Sequence, residues 1–196
     1  MIEAKPKAKS EIRQEMLALR RRADRSVIKS AGEQIVSYII GLDAYINADV
    51  IYLYSPVRNE ADISKLMDIS IKQGKKVLLP RVLNADTMEF YRINSVNDLN
   101  EGYMGIAEPK KELEAYVTNG IDKSFMAVPG VAFDRFGGRI GMGKGYYDRY
   151  LSTHGITVTC GVCMDFQLVK DNKIPMDKYD RYMDCIVTEN EIILQK

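Results

Sequence analysis

Apolar runs too short to be buried helices recur along this chain: DVIYLYS (49–55), KVLLP (76–80), SFMAVPG (124–130), ITVTCGVCM (156–164) and DCIVTE (184–189). Each is rich in β-branched, aromatic or other large apolar residues and is bounded by polar residues, Gly or Pro, the pattern of a strand buried on both faces. A strand with one wet face alternates instead, as MEFYRI (88–93) does. Between these runs lie stretches of helical period. Ile12, Met16 and Leu19 recur at i, i+4 and i+7 and predict a helix over 8–23. Ile28, Gln34, Ile35, Tyr38 and Ile39 give the partly buried face of a second helix over 26–41. Asp62 can cap a third, which runs to about 73 and stops at Gly74. A fourth starts near Gly145, reaches about His154 and ends at Gly155. Buried strands alternating with helices predict an α/β protein whose mainly parallel sheet is covered on both faces. No repeat or linker-like tract divides the 196 residues, so 1–196 reads as a single domain.

In such sheets ligands sit beyond the carboxyl ends of the strands, where the loops converge. The stretch GGRIGMGKGYYDRY (137–150) follows the strand at 124–130, and five of the chain's 14 glycines crowd into 137–145. Gly138, four residues, then Gly143-Lys144 is the opening of a phosphate-binding loop, but the Ser or Thr that would hold magnesium is replaced by Gly145. Glycines let backbone N–H groups approach an anion, and the helix that follows adds its partial positive charge. Arg139 supplies a bidentate fork and Lys144 a point charge. The loop reads as a phosphate site, the alternative being a mobile surface connection. Asp148, four residues beyond Lys144, can take the metal role that Gly145 vacates, or serve only as a first-turn acid complementing the helix dipole.

A formal charge of +1 provides no general field for nucleic acid or membrane, although residues 1–30 hold nine Lys/Arg against four acids. No apolar run approaches the roughly 20 residues of a membrane span, and the N-terminus lacks the apolar segment of a signal peptide. Three cysteines argue for a reducing, cytoplasmic setting over a disulfide scaffold. Cys160 and Cys163 form C-x-x-C inside an expected strand and read as buried small apolar residues, not a zinc or redox pair. His154, at a helix end, complements the dipole. LRRR (19–22) reads as a solvated helix face.

The run PGVAFDRFGGRIGMGKGYYDRYL (129–151) resembles the signature of the 5-formyltetrahydrofolate cyclo-ligase family, also called 5,10-methenyltetrahydrofolate synthetases. KSEIR (9–13), SPVRNEAD (55–62), LPRV (79–82), MDFQLV (164–169) and YDRYMDCIVTE (179–189) follow in the family's order, so the resemblance covers essentially the whole chain. It implies a three-layer α/β/α sandwich and an ATP- and Mg²⁺-dependent ring closure. ATP would phosphorylate the formyl oxygen of 5-formyltetrahydrofolate, with or without a polyglutamate tail. N10 would then attack the activated carbon, leaving 5,10-methenyltetrahydrofolate, ADP and phosphate. Carried over by position, Lys9 and Arg13 resemble the N-terminal ATP contacts, and Arg139, Ile140, Gly141, Met142, Gly143, Lys144, Gly145, Tyr146 and Tyr147 the ATP segment. Met142 to Tyr146 also lie against the folate, which Ser55 and Glu60 contact in addition. Arg139, Lys144 and Tyr146 are the expected catalytic residues, and Asp148 and Asp180 the magnesium carboxylates.

Three departures stand out. Glu60 is followed by Ala61-Asp62-Ile63 where relatives often have Val or Ile, Asp and Thr. Tyr179, in place of His, precedes Asp180, and Met142 stands where some relatives are basic. The chain is expected to act as a monomer without nucleic acid or membrane partners. Two competing readings are a different ATP- or sugar-phosphate-binding enzyme using the same loop, and a nucleotide- or RNA-binding module using the basic N-terminal helix.

Overall fold

A computed structural model of the chain describes residues 7–102, 106–170 and 173–195. Its centre is a seven-stranded sheet built from β1 (Val50–Tyr52), β2 (Lys76–Val82), β3 (Met88–Ile93), β6 (Ser124–Pro129), β9 (Val158–Val162), β11 (Cys185–Val187) and β12 (Ile192–Leu194). The strand order is β12-β11-β9-β6-β1-β2-β3. The five inner strands pair in parallel, and only the edge strands β3 and β12 run antiparallel to their neighbours. The apolar runs therefore form the sheet expected of them.

Alternate residues along each strand feed two cores, as the two-residue period requires. Ile51, Val77, Phe125 and Cys160 face α2 (Arg25–Ile40), α3 (Asp43–Ile46) and α4 (Lys65–Lys72). Val50, Tyr52, Leu78 and Met126 face the opposite way, toward Tyr150 on α5 (Tyr146–Thr153). The result is a three-layer α/β/α sandwich. No helix among the described residues is long and apolar enough to cross a membrane.

The first helix, α1 (Lys9–Arg22), lies outside both main layers. Its Ile12 joins Val131, Ala132, Ile140 and Ile174 in a separate small core. That core belongs to a three-stranded sheet of β7 (Ala132–Asp134), β8 (Arg139–Ile140) and β10 (Leu168–Val169), with β7 at its centre. The glycine-rich stretch thus supplies β8 to a short hairpin with the preceding β7, and is not loop throughout. A further hairpin joins β4 (Leu99–Glu101) to β5 (Ala107–Pro109).

Some local expectations need correction. Gln34 is exposed, and Gly32 and Val36 sit on the buried face of α2 in its place. Leu19 is exposed as well, while Arg20, expected on a solvated face, is only 1% exposed. Asp62 does not cap α4, whose N-cap is Ser64; its Oδ1 instead accepts from the Ser64 N–H at 3.0 Å in a turn ahead of the helix. The helix needs a small glycine on its neighbour at this turn. A Cβ on Gly32 would lie 2.2 Å from the Asp62 carbonyl oxygen. Gly32→Ala should force α2 away from this segment and destabilise the protein by at least about 1–3 kcal/mol, read as a lowered thermal midpoint. An unchanged midpoint would mean that the segment yields freely.

Candidate active site

The parallel strands direct their carboxyl ends toward one cavity of about 450 Å³. It is walled by α1, the loop after β1, residues of β2, β3 and 106–108, the β6 end with the glycine stretch, and residues 177–180. Lys9, Arg13, Ser55, Glu60, every residue from Arg139 to Asp148, and Asp180 all line it. Residues spread over most of the sequence are brought to a single place.

Helix α1 presents Lys9 and Arg13 one turn apart. Lys9 Nζ donates to Asp177 Oδ2 at 2.7 Å and is paired with Asp180. Burial works against the charge of Lys9, but the hydrogen bonds and attraction of these two carboxylates prevail and raise its pKa. Burial likewise opposes the Asp180 charge, and Lys9, the Asp177 N–H and Arg139 outweigh it, so Asp180 titrates below the usual carboxylate range. Arg13 Nε donates to the Gly141 carbonyl at 2.9 Å, fastening α1 to the glycine stretch.

Beyond β8 that stretch turns sharply at two glycines. Gly143 (φ 94°) and Gly145 (φ 68°) lie in the left-handed region, where a side chain would strain the backbone. Gly145 is the N-cap of α5, so the helix begins at the cavity wall and its first-turn N–H groups lack intrahelical partners. Arg139 is held before this turn by β8. Its side chain is 4% exposed, donating to the Pro129 carbonyl at 3.2 Å and to Asp148 Oδ2 at 2.9 Å. Its Nε is buried with no hydrogen-bond partner among the described residues. Lys144 is exposed and forms no ion pair among the described residues. Asp148 accepts a second bond, from the Arg181 N–H at 3.2 Å, which ties α5 to the chain just after Asp180.

The opposite wall is more apolar. Tyr146 donates to the Asn84 carbonyl at 3.1 Å and presents its ring to the cavity. Tyr147, beside Glu60 and Arg139, has its hydroxyl pKa raised by burial and the nearby Glu60 charge. Ser55 donates to Ala107 at 2.5 Å. Glu60, 9% exposed, accepts from the Val57 N–H at 3.1 Å, and its other oxygen lies 3.4 Å from Arg20 Nη2. Burial raises the Glu60 pKa, against the pull of Arg20, Arg58 and the Val57 N–H.

The donor chemistry suits a hard divalent cation. Asp148 and Asp180 are carboxylates on one cavity, whose lining holds neither thiolate nor imidazole. Among the described residues no cluster of three or more metal-ligating side chains forms. Two carboxylates with phosphate oxygens and water completing the shell is the pattern magnesium accepts. The three cysteines are buried and free, and His154 stacks on Tyr150 at 3.9 Å between ring centres. All four lie outside the cavity lining.

Sequence reasoning missed Arg20, Asp177 and Glu108. Asp177 and Glu108 line the cavity, whereas Arg20 stands behind its wall. Asp177 had a signal, being three residues before Asp180 in an acidic turn; Glu108 had only its proximity to the apolar Ile106. Of the departures, Ile63 is fully buried, Met142 sits half-exposed at the cavity rim, and Tyr179 is exposed beneath Lys178.

The chain is an α/β protein whose cleft, at the carboxyl end of a doubly covered and mainly parallel sheet, mixes Lys and Arg side chains with Asp and Glu side chains. Residues 5–189 match the model of the 5-formyltetrahydrofolate cyclo-ligase family, and the chain belongs to that family. A Schizosaccharomyces pombe protein named a probable 5-formyltetrahydrofolate cyclo-ligase is 30% identical over 85% of this chain and 88% of its own length. The Escherichia coli K12 5-formyltetrahydrofolate cyclo-ligase is 28% identical, with 82% and 89% covered. The solved structure of Aquifex aeolicus 5,10-methenyltetrahydrofolate synthetase superposes with a TM-score of 0.81 at 33% identity, covering 95% of this chain and 92% of that one.

Proposed function

We propose that this protein converts 5-formyltetrahydrofolate to 5,10-methenyltetrahydrofolate at the expense of ATP, with Mg²⁺ assisting and ADP and phosphate released. The observation that carries this reading is that two sets of groups share one cavity. Lys9, Arg13, Arg139 and Lys144 are suited to phosphate, and Ser55, Glu60 and Tyr146 to a pterin.

The γ-phosphoryl group passes to the formyl oxygen. N10 then attacks the activated carbon and loses its proton, the carbon–oxygen bond breaks, and that oxygen leaves with the phosphate. Such chemistry needs alignment and charge neutralisation more than a protein nucleophile. Lys144 and Arg139 face the transferring oxygens, and the N–H groups at Gly143 and Gly145 and the first turn of α5 receive them. Lys9 and Arg13 bind the nucleotide's phosphates from the α1 side. Glu60 accepts hydrogen bonds from the amino-pyrimidinone edge, and Tyr146 offers a ring face. Bound Mg²⁺ would neutralise phosphate charge, and Asp148 and Asp180 are the residues that would hold it.

Methenyl product and ADP should appear in equal amounts, neither without the other. ATP hydrolysis at the same rate without folate would contradict the reading. The Lys9→Ala/Arg13→Ala protein should show an apparent KM for ATP raised by roughly tenfold or more, since each loss removes a charge-assisted contact. Its KM for folate should change little. Unmoved ATP kinetics would leave α1 a purely structural helix.

A further inference from the structure

Arg20 is among the largest fully buried side chains of the described residues, yet it carries a charge that a guanidinium does not shed. It stands behind the cavity on α1, two turns beyond Arg13. Its Nη2 donates to the carbonyls of Val57 and Arg58, each at 2.9 Å, and lies 3.4 Å from Glu60 Oε1. Its Nη1 reaches the Gly130 carbonyl at 3.5 Å, at the end of β6. In return, Asn59 Nδ2 donates to the Arg20 carbonyl at 2.9 Å. One side chain thus binds two separate walls of the cavity to a third.

The segment it grips is strained. Arg58 (φ 48°) and Asn59 (φ 61°) are consecutive, and among the described residues they are the only non-glycine residues in the left-handed region. Such conformations persist where the surroundings over-determine them, and they cluster at ligand-binding segments. Here the strained pair immediately precedes Glu60 and sets the direction of its carboxylate. Glu60 folds back so that its Oε2 meets the Val57 N–H, while its own N–H donates to the Val57 carbonyl at 3.0 Å, the carbonyl that Arg20 also holds.

We infer that Arg20 is a positioning residue for the folate half of the site, clamping the left-handed turn at 58–59 so that Glu60 faces the reduced pterin. The inference rests on Glu60 being the pterin's carboxylate partner. A lysine cannot replace the clamp, because its single nitrogen cannot meet the Val57, Arg58 and Glu60 oxygens held by Nη2 and also reach the Gly130 carbonyl held by Nη1. The buried pair also forbids simple removal of the cation, which would strand Glu60.

The test compares Arg20→Lys, Arg20→Met, Glu60→Gln and the Arg20→Lys/Glu60→Gln double variant. Steady-state kinetics and amide hydrogen exchange over 55–61 are the readouts. Arg20→Lys should raise the KM for 5-formyltetrahydrofolate by roughly tenfold or more while the KM for ATP stays within about twofold. Exchange over 55–61 should quicken relative to the central strands. In the Glu60→Gln background the same substitution should have a much smaller effect on folate KM, because the two residues act as one unit. Arg20→Lys that folds with unchanged folate KM and unchanged exchange overturns the inference. So does an equal rise in both KM values, or full additivity with Glu60→Gln. If Arg20→Met fails to fold, Arg20→Lys still decides. If Glu60→Gln leaves folate KM untouched, the folate role of Glu60 falls; faster exchange over 55–61 in Arg20→Lys still establishes the clamp, and unchanged exchange removes it.

Discussion

Arg139→Met will lose about 10³ in turnover and, unlike most active-site substitutions, will unfold markedly earlier. Both effects come from one buried guanidinium. For turnover, the role proposed for Arg139 is to face the transferring oxygens with a side chain that is itself 4% exposed, where charge acts with little screening. For stability, its fork joins the Pro129 carbonyl at the end of β6 to Asp148 on α5. Removing one member of a mostly buried pair leaves the other uncompensated. At the lower end of the usual range this costs about 3 kcal/mol, because Asp148 keeps 22% side-chain exposure. For a chain of this size that corresponds to roughly 6–12 °C in Tm. Arg139→Met/Asp148→Asn should recover much of the lost stability and none of the turnover. Recovery of neither would show that the pair does not hold α5 to the sheet.

Lys144→Met should separate the two effects. Lys144 lies only a few residues from Arg139 along the same stretch, yet it is exposed and makes no ion pair among the described residues. Among the described residues its side chain makes no hydrogen bond that the fold would lose. Its loss should lower kcat by about 10²–10³, the effect of deleting one preorganised positive group at the transition state. Stability should stay within about 0.5 kcal/mol, as for ordinary surface substitutions. A variant with normal kcat would remove Lys144 from the phosphoryl-transfer step, and a large drop in Tm would reveal a structural role that its surroundings do not suggest.

The inner strands were legible because a strand buried on both faces has no choice but to be apolar along its length. Helix termini followed from Gly74 and Gly145, whose left-handed backbone is itself a sequence signal. The short strands β7, β8 and β10 were not legible, since two or three residues cannot display a period. β12 escaped for another reason: it is an edge strand whose Ile192 and Leu194 remain exposed, and it was passed over after the last strongly apolar run.

For the site, the glycine stretch announced itself through composition, and the failed match at Gly145 turned attention to Asp148, which lines the same cavity. Arg20 could not be found this way. Within LRRR its neighbours Arg21 and Arg22 are exposed, and composition alone gives no sign of which arginine turns inward. The difference is made by carbonyls at 57, 58 and 130, all far away in sequence, and by a buried stripe that runs from Ile12 through half-buried Met16 and Leu17 to Arg20. A partly burying helix with polar fringes likewise hid the exposure of Gln34. Buried polar groups are read from their partners, and partners are a property of the fold.

On the proposed function, phosphate-type and pterin-type groups on this one cavity serve a single reaction. The most direct test is to incubate the folded protein with 5-formyltetrahydrofolate, ATP and Mg²⁺ and to follow the near-ultraviolet absorbance of the methenyl product. The absorbance should rise with enzyme, require both ATP and Mg²⁺, and stop when either is withheld. Folded protein that produces no absorbance gain under these conditions would show that the cavity does not carry out this reaction.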